Sequence, residues 1–236
     1  MMRTAGSVRR FSGQPVTDET VYRILEQARF APSGGNRQPW HVTVVRDAAI
    51  RRSVRDLYVL GWREYSEHVA LDLVPFAPSQ DGSWHGPAID LARAREVEHP
   101  NAFGDHLDEV PLMLVVSVAL PGLAVIDNGL PRQSVVGGAS IYPFVHNILL
   151  AARDNGLGGV ITTVICRQEE AVRDLLHLPP AEAVAALVAL GYPERTPTRL
   201  TRRPVEEFAT IDRRDGPPLR AADSSLGLPA AGQTAP

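Results

Sequence analysis

Residues 31–45 read Ala31-Pro32-Ser33-Gly34-Gly35-Asn36-Arg37-Gln38-Pro39-Trp40-His41-Val42-Thr43-Val44-Val45. An amphipathic pattern stops at Ala31-Pro32, because proline lacks the amide a helix needs and pushes its predecessor out of helical geometry. A polar, glycine-rich loop follows, and the alternation from Trp40 to Val45 then predicts a strand. Upstream, Val16 to Phe30 predicts a helix, with Thr17 as N-cap, Asp18 and Glu19 in the first turn and Val21, Ile24, Leu25 and Ala28 on one apolar face. Downstream, Asp47 opens a second helical pattern to about Val69. The almost wholly apolar run Pro111 to Leu120 predicts a strand buried on both faces. Gly137-Gly138-Ala139-Ser140 leads into a helix from about Ser140 to Asn155, with Pro143 in its first turn and Gly156 closing it. Val160 to Ile165 predicts a strand, Gln168 to Leu176 a short helix and Val184 to Leu190 another strand. Helices and strands mixed in this way imply an α+β layered domain.

The chain has 236 residues, 44% of them hydrophobic, so one sizeable core is expected, in a single domain spanning 1–211. Residues 73–108 are rich in Pro, Gly, His and aromatics and poorly periodic, which suits a lid or substrate segment. From Asp212 the composition predicts a disordered tail, 212–236. The net charge of -3 offers no field to recruit nucleic acid or an anionic membrane, and a small-molecule partner fits better. Cys166 is the sole cysteine, which excludes an internal disulfide, a Cys-x-x-Cys pair and a cysteine-ligated cluster within one chain. With no apolar run of signal or membrane length, a cytoplasmic protein is expected. All 24 basic residues are arginines. A P-loop lysine and a Schiff-base lysine are therefore excluded, and any phosphate must be held by arginine, backbone amides or a helix N-terminus.

Three segments carry more polar decoration than their local structure needs: Ser7-Val8-Arg9-Arg10-Phe11, the loop 32–40, and Thr201-Arg202-Arg203-Pro204. Each arginine pair alone reads as a solvated surface feature; together, hydroxyls and guanidiniums of this kind suit a phosphate.

These segments resemble the nitroreductase family: Ser7 to Phe11, then Pro15-Val16, then Ala31 to Trp40 match its N-terminal signature. Gly137 to Asn155 with Gly156-Leu157-Gly158-Gly159-Val160-Ile161-Thr162-Thr163 is similar to its central helix and flavin-facing strand. Leu190-Gly191-Tyr192-Pro193 and Arg202-Arg203-Pro204 are similar to its C-terminal end. The resemblance, which covers about Ser7 to Phe208, implies a mixed sheet flanked by helices and an intertwined homodimer with FMN sites between subunits. It implies that Ser7 and Arg9 contact the ribityl chain and phosphate and that Arg202, beside Arg203, closes on the phosphate. Pro32, Ser33 and Gly34 would meet the isoalloxazine from the partner subunit, supported by Asn36 and Gln38, with Thr162 and Thr163 along the flavin edge near N5. The implied activity is a ping-pong transfer of hydride from NAD(P)H through FMN to an electron-poor acceptor such as a nitroaromatic or quinone. Reductive dehalogenation, enoate reduction and flavin binding without useful turnover stand as alternatives.

Two positions depart from the family pattern. Ala5-Gly6 stands where an arginine is usual, so one phosphate contact is missing or passes to Arg3, and His146-Asn147 stands where glutamine usually precedes the asparagine. His146, on an apolar helix without a metal-spaced partner, reads as a core histidine, and Cys166 as a buried strand residue. Trp84 and Phe103 are the substrate-side candidates, whereas Tyr58, Trp62 and Tyr65 read as the buried face of a helix.

Overall fold

The computed structural model describes residues 2–221, which divide into two compact units between Thr198 and Arg199. In the first, four strands, β1 (Trp40–Val45), β2 (Leu112–Ala119), β3 (Gly158–Thr162) and β4 (Glu182–Gly191), form one sheet of order β1-β2-β4-β3. Every pair of these strands is antiparallel, rather than mixed as expected. Among the described residues, parallel pairing occurs only where the N-terminal segment runs beside β3, at the Ser7–Gly159 bridge.

The helices are α1 (Asp18–Ala28), α2 (Ala48–Ala70), α3 (Leu91–Glu96), α4 (Tyr142–Asp154) and α5 (Glu169–Leu176). Thr17 caps α1 by accepting from the Thr20 amide, and Asp47 caps α2 by accepting from the Ala49 and Ile50 amides at 2.8 and 2.9 Å. Among the described residues no helix is long and apolar enough to cross a membrane.

Side chains alternate across a strand, so the central strands feed two separate cores. Leu112, Leu114, Val116, Val188 and Leu190 pack against α1 and α4 on one face. Met113, Val115, Leu187 and Ala189 pack against α2 and α5 on the other. This two-sided burial explains why β2 is apolar throughout: seven of its eight residues are buried. Trp40, at the start of β1, stacks flat on Phe144 of α4 with ring centroids 4.5 Å apart, which fixes where the glycine-rich loop ends.

The aperiodic middle segment folds back along α2 and is tied to it by charge. Fully buried Glu64 accepts from Arg95 Nε at 2.6 Å and from Arg167 Nε at 2.8 Å, joining α2 to α3 and to the turn after β3. Arg51 donates to the carbonyls of Asp108 at 2.8 Å and Val45 at 3.2 Å, closing the far end of the segment.

The second unit contains a 3-10 turn, Val205–Glu207, and an antiparallel bridge between Thr210 and Pro218. Part of the expected tail, residues 212–219, is thus in a closed turn, with the Leu219 amide donating to Ala209 at 2.9 Å. Residues 222–236 of that tail lie outside the described residues.

Gly61 shows how closely α2 approaches the turn after β3. A Cβ there would lie 2.7 Å from the Val164 carbonyl oxygen, a backbone atom that cannot step aside cheaply. Alanine is the better helix former by about 1 kcal/mol. Even so, Gly61→Ala is expected to lower stability by about 1–3 kcal/mol through overpacking. Urea unfolding measures this; a stabilised variant would contradict the close approach.

Candidate functional site

The β3 edge is built by glycine. A Cβ on Gly159 would fall 2.2 Å from Leu190 Cδ2, and one on Gly158 would fall 2.7 Å from Val8 Cγ2. Bare backbone at Gly158 lets the N-terminal segment lie against β3, with the Val8 amide donating to the Gly159 carbonyl at 2.9 Å, and bare backbone at Gly159 leaves room for Leu190 of β4. Val8 is buried while Ser7 and Arg9 are exposed, as alternation along an extended chain requires. Burial raises the pKa of the Tyr58 phenol, and the nearby Thr162, Asn101 and Arg9 side chains work against that rise. Thr162 is half-buried at the end of β3, where its Oγ1 accepts from the Val164 amide at 3.4 Å; Thr163 is exposed. Among the described residues no hydrogen bond or ion pair engages the Arg9 side chain, so its charge faces outward uncompensated.

The β1 edge carries the glycine-rich loop. The Gly34 amide donates to Ser140 Oγ at 3.0 Å, tying the loop to the turn before α4, and the Gln38 amide donates to Ser33 Oγ at 3.0 Å. Gln38 Nε2 donates to Asn36 Oδ1 at 3.2 Å. Gly35, Asn36 and Gln38 all have left-handed backbone, with φ of 60°, 54° and 50°. For the two non-glycines this costs on the order of 1–2 kcal/mol each, held by the hydrogen bonds just named, and such stored strain belongs to built sites more than to passive loops. Pro32 is exposed at the loop's start.

Sheet order therefore splits the candidate residues of the first unit into two groups. Ser7, Arg9, Thr162 and Thr163 sit at the β3 edge, while Pro32, Ser33, Gly34, Asn36 and Gln38 sit at the β1 edge, with β2 and β4 between. At the usual inter-strand spacing the two outer strands are roughly 14 Å apart. Arg202 and Arg203 belong to the second unit, where both are exposed and Arg202 Nη1 donates to the Thr201 carbonyl at 2.7 Å.

Three other expectations, for Phe103, His146 and Cys166, are corrected. Phe103 is buried in the α2-side core, edge-on to Tyr58 at 6.3 Å, rather than open to a substrate; its surroundings in an irregular stretch gave no periodic sign of burial. Trp84 is 43% exposed in a turn closed by the Ser79 amide donating to Ser83. His146 is exposed on α4 and not in a core, because the apolar face of that helix passes through Phe144, Val145 and Ile148. Cys166 sits in a 3-10 turn after β3 and not in the strand.

Two groups escaped the sequence reading. Asn101 meets Tyr58 although 43 residues separate them along the chain, a meeting no local pattern announces. Arg153, at the end of α4, lines a depression with Ala5, Gly6 and Gly159, and donates to Thr4 Oγ1 at 3.5 Å. It places a guanidinium beside the dipeptide where the sequence lacks one.

The profile of the nitroreductase family matches residues 2–192, and the chain belongs to that family. It is 33% identical over 200 residues to an NADH dehydrogenase of Thermus thermophilus, covering 85% of this chain and 88% of that one. It is 27% identical over 232 residues to a nitrobenzene nitroreductase of Ectopseudomonas oleovorans, covering 89% and 95%. Its fold matches an iodotyrosine deiodinase solved with FMN and 3-iodo-L-tyrosine at a TM-score of 0.60 and 21% identity, covering 86% of this chain and 94% of that one.

Burial pushes the Cys166 thiol up to about 12, and neighbouring Glu169 adds to the shift; Sγ donates to the Val184 carbonyl at 3.1 Å. At pH 8 only on the order of one thiol in ten thousand would be ionised, against about a quarter in the unfolded chain. Iodoacetamide is expected to label native protein at least about a hundredfold more slowly than urea-unfolded protein, read by mass spectrometry. Equal rates would show an accessible thiolate.

Proposed function

We propose that this protein is an FMN-dependent oxidoreductase that takes a hydride from NAD(P)H and passes it to an electron-poor small molecule such as a nitroaromatic or quinone. The observation that carries this reading is the exposed Arg9 guanidinium, without a carboxylate partner among the described residues, on the same edge as the hydroxyls of Ser7, Thr162 and Thr163. That donor set fits FMN. A guanidinium and a hydroxyl suit the phosphate and ribityl chain, and a ring-facing loop with glycine at 34 and 35 lets backbone approach a flat heterocycle.

When bound, FMN supplies the ring nitrogen that accepts and releases hydride. The chain's own part is to hold and orient. Ser7 and Arg9 would grip the anionic tail. The Thr162 and Thr163 region would present hydrogen-bond donors along the ring edge. Arginine charge and fixed donors favour the electron-rich reduced ring over the oxidised one, which is stabilisation of developing charge by a prearranged environment. No side-chain nucleophile is required.

The separation of the two groups supports a homodimer in which Pro32, Ser33 and Gly34 of one chain cover the ring gripped by the other, with Asn36 and Gln38 stiffening that loop. Trp84, exposed in the middle segment, would be the aromatic that meets an acceptor. Phe103 would act only as packing behind Tyr58.

Purified protein supplied with FMN is expected to absorb near 450 nm and to bleach on anaerobic addition of NADH or NADPH. Arg9→Ala should weaken FMN binding by about 10–100-fold, the worth of one charge-assisted contact. A protein that takes up no FMN would remove the proposal. One that stays yellow with either nicotinamide would leave a flavin-binding protein without reductase activity, and faster turnover of halogenated than of nitro or quinone acceptors would favour dehalogenation.

A further inference from the structure

Asp127 is a buried charge that the flavin site does not use. Its side chain is 4% exposed, in the connection between β2 and α4, and each partner of its carboxylate among the described residues lies between 132 and 136. Oδ2 accepts from Arg132 Nη1 at 2.7 Å and from the Val135 and Val136 amides at 2.9 and 3.4 Å, while Oδ1 accepts from Ser134 Oγ at 2.8 Å. A buried carboxylate is costly until its lone pairs are met, and here they are met by closing the chain into a loop, 127–136. Apolar packing does not hold this stretch: Val125, Ile126, Leu130 and Val135 are all exposed, Ile126 at 86%. The loop in turn holds two others. The Gln133 amide donates to the Gly82 carbonyl at 2.7 Å, and a Cβ on Gly82 would lie 3.4 Å from Arg132 Cβ. Gly82 closes the 79–83 turn by donating its own amide to Ser79, so the anchored turn sets where Trp84 emerges. On the other side, a Cβ on Gly137 would lie 3.1 Å from Val125 Cγ1, and one on Gly34 would lie 3.7 Å from Ala124 Cβ. Gly34 is the residue that Ser140 fastens to the turn before α4.

We propose that Asp127 is a positioning residue for acceptor binding: its carboxylate closes the loop that joins the Trp84 turn to the glycine-rich loop, and so fixes the acceptor-side wall of the site. The inference rests on the flavin reading above and deepens it, naming planar aromatic acceptors as the class this wall selects, since an indole offers a flat face to stack on. Asp127 itself, being buried, touches neither flavin nor acceptor. It acts through the backbone of Gln133 and Gly82 on Trp84, and through Ala124 on the Gly34 loop. Its loss loosens the grip on a flat ring and leaves Ser7 and Arg9, at the β3 edge, in place.

The test uses the full-length, FMN-loaded protein with Asp127→Ala, Trp84→Ala and both together, and with Asp127→Asn beside them. Every basic residue is an arginine, so trypsin cuts only after arginine. Cleavage between Arg132 and Gln133, read by mass spectrometry, is expected to be roughly tenfold faster in Asp127→Ala, because the loop opens locally. Single-turnover reduction of the flavin by NADH is expected at the wild-type rate. With 1,4-naphthoquinone as acceptor, KM is expected to rise about tenfold and kcat to stay within about twofold, the mark of a lost binding contact. Ferricyanide, which has no ring to stack, is expected to react as it does with wild type; a general loosening of the fold would slow it too. Asp127→Asn keeps an oxygen for the Val135 and Val136 amides and is expected to fall between wild type and Asp127→Ala; it carries the test if the alanine variant does not fold. Trp84→Ala is expected to raise the quinone KM similarly, and the double variant to raise it no further, because both act through one contact. Unaltered cleavage after Arg132, an unchanged quinone KM in either single variant, equal slowing with ferricyanide, slowed flavin reduction, or effects that multiply would each overturn the inference. A colourless wild-type protein would remove the flavin reading and this inference with it, whereas a yellow, reducible wild type with indifferent Asp127 variants would remove this one alone.

Discussion

The strand order β1-β2-β4-β3 is the constraint from which the rest of the site follows. It puts the strand that follows the glycine-rich loop on one edge and the strand that receives the N-terminal segment on the other, with two buried strands between them. Those central strands cannot be rearranged cheaply. They supply apolar side chains to both cores, and a one-residue slip in either would turn a buried row to the wrong face. The separation of the two candidate groups is thus set by the same packing that holds the first unit together.

Within each edge, small residues and charge do different work. At the β3 edge, bare backbone at Gly158 brings the N-terminal segment close, with Ser7 and Arg9 turned outward. Along α2, Gly61 brings Val164 close, and Glu64 then draws Arg167 and Arg95 onto the same helix. A fully buried carboxylate is costly unless it is paired, and two guanidiniums meet that cost. The consequence is that α2, the turn after β3 and the middle segment form one connected body, on which Tyr58 sits at the junction. Arg9 faces outward without a side-chain partner among the described residues, as its neighbour Arg10 does, and a mononucleotide's anionic tail would complete it.

Much of this was legible in the sequence because the signals are local. The β1 boundaries follow from alternation bounded by Pro39 and Asp47, and the caps of α1 and α2 follow from Thr17 and Asp47 preceding apolar periods. The family could be read from the loop 31–40 together with Ser7 to Phe11, since these carry site chemistry rather than packing. What sequence reading missed depends on contacts distant along the chain. Residues 163–165 are β-branched or apolar but turn out of the sheet, so β3 ends at Thr162 and Cys166 falls in a turn. His146 lies between Val145 and Asn147 on α4, and only the helical phase of Phe144, Val145 and Ile148 shows that it points away from the core. Phe103 and Asn101 lie in an aperiodic stretch whose burial is decided by Tyr58 and Gly104, which no local pattern reveals.

The central claim is that one complete mononucleotide site takes Ser7 and Arg9 from one chain and the Pro32 to Gly34 loop from another. Subunit complementation tests it most directly: Arg9→Glu disables one half, Gly34→Phe the other, and the two variants are co-expressed and assayed for bound FMN per chain. If the halves come from different chains, each mixed dimer regains one intact site. Random pairing then restores bound FMN to about a quarter of the wild-type level, although neither variant alone retains it. Bound FMN that stays at the level of the separate variants would contradict the account, because it would mean that both halves serve a site within a single chain.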